Sequence, residues 1–257
     1  MVLIIRTDKW LLNSYDKPLE LCKQLIGLFE NATTYEIYEY LVLHGMYQPD
    51  KDGKEQVRQL KEKRIWDIVV EEEKKLQQLW HGPDIPIFIF PSDAHNEILK
   101  QEFNGKAGLA FKDKLFLFIS TDNSEMEFRA LLTHEYNHVC RLTHYQKAEK
   151  DYVLLDTLIL EGLAESAVLE RFGQSYLSHW MSFYSEEELE QMWRTKVSPY
   201  IHTRKSSIDH DEILYGLPDS PRMLGYCVGY YLVQKFIKEQ HSTVGELLNE
   251  PSQSFLK

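Results

Sequence analysis

SEMEFRALLTHEYNHVCRLTHY, residues 124–145, is followed after a short polar stretch by YVLLDTLILEGLAESAVLERF, residues 152–172. In the first segment Ser124 to Glu127 has the form of a capping box, and Phe128, Leu131, Leu132, Val139 and Leu142 then recur on one helical stripe. The segment therefore predicts a helix. Within it His134 and His138 are four residues apart, one turn above each other, so both imidazoles face one point and can hold one cation. Glu135 lies beside them, placed to take a proton from a water activated by the metal. A chain of this composition carries such an HExxH sequence by chance in roughly 4 cases in 100, so its surroundings must decide. At 100° per residue Glu135 falls in the middle of the apolar stripe, where an unpartnered carboxylate is costly.

The second segment decides the matter. It is apolar nearly all round, which predicts a buried helix, yet it carries Glu161 and Glu165 one turn apart. Two like charges in a core require a positive partner. If the two helices form an antiparallel hairpin about Gln146 to Asp151, residues at equal height have numbers with a constant sum. The pairs His138 with Glu161 and His134 with Glu165 share one sum, with its midpoint between Glu149 and Lys150. Two imidazoles, one carboxylate and a water make a four-coordinate catalytic zinc site, so Glu161 is expected as the third ligand. Glu165 is expected behind it, accepting the free ring N–H of His134. Gly162 and Ala164 are small and are expected to let the two helices approach.

Outward from this hairpin, the chain reads as an α+β protein that is mainly helical. Residues 17–31, 34–44 and 55–80 have helical period, the last as one long helix whose charge run Glu71 to Lys75 is expected to be a solvated face. Residues 85–90, 107–111 and 115–120 have the texture of strands in a small antiparallel or mixed sheet, expected to pack on the HExxH helix. Residues 186–194 and 222–240 are helical in period. The expected organisation is an amino-terminal helical region, 1–82, and a second domain, 83–257, made of the sheet (85–120), the helical hairpin (124–172) and carboxy-terminal helices (173–257).

Composition sets limits on function. The chain has 257 residues, 43% of them apolar and 27% charged, the balance of a globular protein with a substantial core. With 29 Lys and Arg against 40 Asp and Glu the net charge is −11, which argues against nucleic acid as a partner. No run approaches a membrane span, and the amino terminus has no secretory layout, so a cytoplasmic protein is expected. Cys22, Cys140 and Cys227 are odd in number and widely spaced, which predicts free buried thiols.

HEYNH followed by LEGLAE resembles the gluzincin metallopeptidases, and more closely the bacterial family called domain of unknown function 2268, predicted zinc-dependent proteases. The resemblance covers about the carboxy-terminal two thirds of the chain. It implies a zincin-like fold, one Zn²⁺ per chain, a peptide or protein substrate, His134, His138 and Glu161 as ligands and Glu135 as general base. The chain has no G-x-M-E-N sequence of the aminopeptidase branch, so an endopeptidase is expected. An edge strand, either 108–111 or 115–120, is expected to pair with extended substrate. For the oxyanion a phenol or imidazole is needed, and the candidates are Tyr226 or Tyr230, on the helix behind the Pro218 and Pro221 loop, and His202 or His210. The competing function is a non-catalytic, zinc-stabilised protein-interaction domain on the same scaffold. Oligomeric state is not readable from the sequence.

Overall fold

The computed structural model describes residues 4–217 and 220–256. Pro218 lies outside them. The chain forms two compact units, Met1–Val139 and Cys140–Lys257. It is α+β, mainly helical, with one small mixed sheet. Among the described residues no helix is long and apolar enough to cross a membrane.

The first unit opens with α1 (Thr7–Ser14), α2 (Pro18–Cys22), a 3-10 segment (Lys23–Leu28), α3 (Thr34–Leu43), α4 (Gly53–Glu62) and α5 (Ile65–Trp80). Two expected helices are subdivided. The first becomes α2 followed by the 3-10 turns. The second breaks at Arg64, whose left-handed backbone (φ 58°) separates α4 from α5. Lys61 to Arg64 interrupts the apolar stripe for a full turn, leaving no burial to hold the helix straight there. The sheet follows: β1 (Ile87–Pro91), then α6 (Glu97–Phe103), β2 (Ala107–Ala110) and β3 (Leu115–Ile119). Its order is β1-β3-β2, with β1 parallel and β2 antiparallel to β3, so it is mixed.

IFIF in β1 and LFLF in β3 pair in register, Ile87 with Leu115 and Phe88 with Phe116, so the sheet has an aliphatic and an aromatic face. Both strands are buried throughout, so both faces are covered. The aromatic face meets the amino-terminal helices: Phe88 lies 6.1 Å from the Trp10 ring and Phe116 lies 5.9 Å from Phe29. The aliphatic face meets α7 (Glu125–His144), the helix that carries HEYNH. The expected capping box is present, with Glu127 accepting from the backbone N–H of Ser124 at 2.7 Å. Tyr136 fixes the rotation of this helix by donating to Pro83 O at 2.7 Å and stacking on Trp80.

The second unit comprises the end of α7, then α8 (Leu154–Phe172), α9 (Glu186–Met192) running into a π turn (Trp193–Val197), α10 (Ile208–Tyr215), α11 (Leu224–Gln240) and α12 (Val244–Leu247). Helices α8 and α11 cross at Gly162 and Gly229. A Cβ on Gly162 would collide with Gly229 O, and one on Gly229 with Leu158 O. The small residue at 162 therefore serves the approach of α11, a correction to the expectation that it brings the HExxH helix close. Arg141, fully buried, donates to the carbonyls of Leu248 and Glu250 at 2.9 and 2.6 Å and to Ser252 Oγ, and it stacks on Tyr145. Burial lowers its pKa to about 10, so it remains a cation at neutral pH and ties the carboxy-terminal segment to the end of α7. All three cysteines are free and buried, as expected.

The charge run on α5 is a solvated face only in part: Glu71, Lys74 and Lys75 are exposed, whereas its two middle acids are buried. Glu72 and Glu73 are each 1% exposed. Glu72 pairs with Arg129 of α7 at 2.6 Å. Neither oxygen of Glu73 has a hydrogen-bond partner among the described residues. Burial, with the charge of Asp84 adding to it, pushes the Glu73 carboxyl up to about 7. The folded state therefore binds this proton more tightly than the unfolded chain does, and stability is lost as pH rises from the ordinary carboxylate range through about 7. Glu73→Gln is expected to match the wild type near pH 5 and to exceed it by on the order of 2 kcal/mol at about pH 8 in urea unfolding. An equal difference at both pH values would contradict this.

Candidate metal centre

Helix α7 sets His134 and His138 one turn apart, their rings 4.7 Å between centroids and nearly perpendicular at 87°. His134 is half-buried and His138 buried. Glu161, half-buried, comes from α8. One ligand-type atom from each of His134, His138 and Glu161 lies within 4.8 Å of the other two. Neutral imidazole and carboxylate are donors that zinc accepts, and three of them with one position left over is the composition of a catalytic site. The three residues present therefore suit a zinc ion.

Glu135 is 7% exposed. Its place is made by β2: a Cβ on Gly108 would collide with Cγ and Cδ of Glu135. Gly108 pairs with Leu117 on the aliphatic face, so the strand presents its one missing side chain to the one carboxylate on the apolar stripe of α7. Only glycine permits that approach.

Glu165 is 2% exposed and is held by Ser178, whose N–H and hydroxyl donate to it at 3.2 and 2.5 Å. Of the three tyrosines of α11, Tyr226 and Tyr230 are the two expected near the site. Tyr230 sits near Glu165, and its pKa is pushed up to about 12 by burial first and by that negative charge second. Tyr226 is hydrogen-bonded to Tyr215, whose ring centroid is 5.8 Å away. Tyr215 in turn feels the charge of Glu161: burial raises its pKa most, the Tyr226 hydrogen bond lowers it, and Glu161 and Asp211 raise it. The sequence does not single out Tyr215, because the eight residues of α10 carry little helical period. Its signal was Gly216, which caps α10 in the left-handed conformation (φ 77°).

His210 is buried with both ring nitrogens engaged, Nε2 with Thr157 Oγ1 and Nδ1 with Asp211 Oδ1, each at 2.9 Å. Thr157 is one turn before Glu161, so His210 seats α10 on the metal-facing stretch of α8. His202 is exposed in a turn.

A family model described as predicted Zn-dependent protease, domain of unknown function 2268, matches residues 65–257. The chain belongs to this family. Among relatives of this chain, the uncharacterized protein YjaZ of Bacillus subtilis is 40% identical over 92% of both chains, a match that reaches into the region before Ile65. The uncharacterized protein YjfC of the same organism is 27% identical over 46% of this chain and 42% of its own. No solved structure matches. The match thus covers α5, the sheet and every helix carrying a site residue, and the zinc dependence predicted for the family agrees with the donor set His134, His138 and Glu161.

Gly108→Ala is expected to leave the fold intact at a cost of about 1–3 kcal/mol while pushing the Glu135 carboxylate off its position. Zinc content should be unchanged and any hydrolytic turnover reduced at least tenfold. Full turnover in this variant would show that the close approach has no functional role.

Proposed function

We propose that the protein is a zinc-dependent endopeptidase of gluzincin type. The observation that carries this reading is the convergence of His134, His138 and Glu161 beside a buried Glu135 that a purely structural zinc site has no use for. His134, His138 and Glu161 would hold the ion. When bound, zinc supplies Lewis-acid polarisation of the scissile carbonyl and acidifies water. Glu135 accepts the proton of the attacking water on a carboxylate oxygen and delivers it to the leaving amine nitrogen. Its burial against Gly108 keeps that carboxylate poorly solvated, which suits a base that must work near neutral pH.

Glu165 supports the site from behind, in keeping with its expected role as acceptor for the ring N–H of His134, and Ser178 fixes its orientation. The hydroxyl pair Tyr215 and Tyr226, of which Tyr215 feels the charge of Glu161, would supply a donor for the developing oxyanion. Between the two strands considered for substrate pairing, β2 is favoured, since β3 is central and its backbone is engaged on both sides. An extended peptide on β2 lies beside Glu135.

Glu135→Gln preserves shape and removes the base. With zinc loaded, this variant is expected to retain one metal per chain and to lose hydrolysis of a mixed peptide library by at least a thousandfold, read by mass spectrometry. Undiminished hydrolysis in Glu135→Gln would overturn the mechanism. Zinc binding without hydrolysis in the unmodified protein would favour the interaction-domain reading instead.

A further inference from the structure

Strand β2 has one partnered side and one open side. The Phe111 N–H donates to Lys114 O at 2.9 Å, which makes these two a hydrogen-bonded pair. Antiparallel ladders alternate, so Leu109 opposite Phe116 and Ala107 opposite Phe118 also face β3. Gly108 and Ala110 consequently direct their N–H and C=O groups away from β3, and among the described residues no strand pairs with that side. The other sheet edge is covered, because Ile4 bridges to Ile87 and Ile5 N–H donates to Ile87 O.

A chain laid along β2 would send alternate side chains to the two faces of the sheet. One set joins the face of Gly108 and Glu135. The other set joins the aromatic face, where the end of α3 runs alongside the strand. Tyr40 lies 6.4 Å from the Phe111 ring at one end of β2, and Gly45 abuts Ala107 at the other. Between them Leu43 is 79% exposed, and Tyr40 is partly exposed with its ring 4.4 Å from that of His44. A single exposed leucine is ordinary. Tyr40 and Leu43 form an apolar ledge beside a strand with free backbone groups, on the sheet face opposite Glu135, and a chain paired to β2 would present every second side chain to it.

We propose that this turn of α3 is a side-chain-binding ledge that selects extended peptide segments with apolar or aromatic residues at alternate positions. The inference rests on the peptidase reading for its choice of β2. It gives the amino-terminal helices, which precede the residues matched by the family model, the role of substrate selector.

Two labelled ten-residue peptides, identical except for Leu and Phe or Ser at alternate positions, are titrated by fluorescence anisotropy into zinc-loaded Glu135→Gln protein. The apolar peptide is expected to bind at least tenfold more tightly. Adding Leu43→Asp or Tyr40→Ser is expected to remove that preference, with unchanged thermal melting for the exposed Leu43 substitution. Equal affinity for the two peptides, or a preference that survives both substitutions, overturns the ledge. Turnover by the unmodified enzyme separates the two readings. Hydrolysis without apolar preference leaves the peptidase and removes the ledge, whereas preference without hydrolysis leaves the ledge and removes the peptidase.

Discussion

A carboxylate on an apolar helix face is unstable unless something positive or a hydrogen-bond donor meets it, and most of this structure is arranged around that constraint. Glu72 is met by Arg129, Glu165 by Ser178, and Asp156 by Lys147 and Ser252. Glu161 is met by His134 and His138, one ligand-type atom of each lying within 4.8 Å of it. A divalent ion turns that cluster from a tolerated arrangement into a favourable one. The close-packed glycines serve the same end: Gly108 admits Glu135 to the sheet, and Gly162 with Gly229 seats the helix that bears Tyr226 and Tyr230.

The layering follows from two strands of alternating side chains. Because β1 and β3 carry phenylalanine on one face and isoleucine or leucine on the other, these two strands are buried on both faces, while β2 stays partly exposed. The amino-terminal helices take the aromatic face and the HExxH helix the aliphatic one. A strand order that leaves β2 outermost then puts free backbone groups beside the general base, at the only glycine in that strand.

Much of this was legible in the residues themselves. The hairpin segments, the capping box at Ser124 and the three strand segments are local signals, and they stand where the periodicity put them. What the residues do not carry locally are features set by distant parts of the chain. The parallel pairing of β1 with β3 spans α6 and β2 and has no local mark. Glu72 lies in a run that looks solvated, and its burial depends on Arg129, 57 residues away. The break at Arg64 is written only as a missing turn of apolar residues, without the glycine or proline that usually announces one. Tyr215 escaped because a helix of eight residues carries little period, although its glycine cap was visible.

The central claim is that His134, His138 and Glu161 together hold one zinc ion. X-ray absorption at the zinc edge of the loaded protein tests it most directly, because imidazole, oxygen and sulfur ligands scatter differently. Two imidazole nitrogens with oxygen ligands and no sulfur are predicted, and Glu161→Ala should change the oxygen shell or release the metal. A sulfur ligand, fewer than two imidazoles, or a spectrum unchanged by Glu161→Ala would contradict the account.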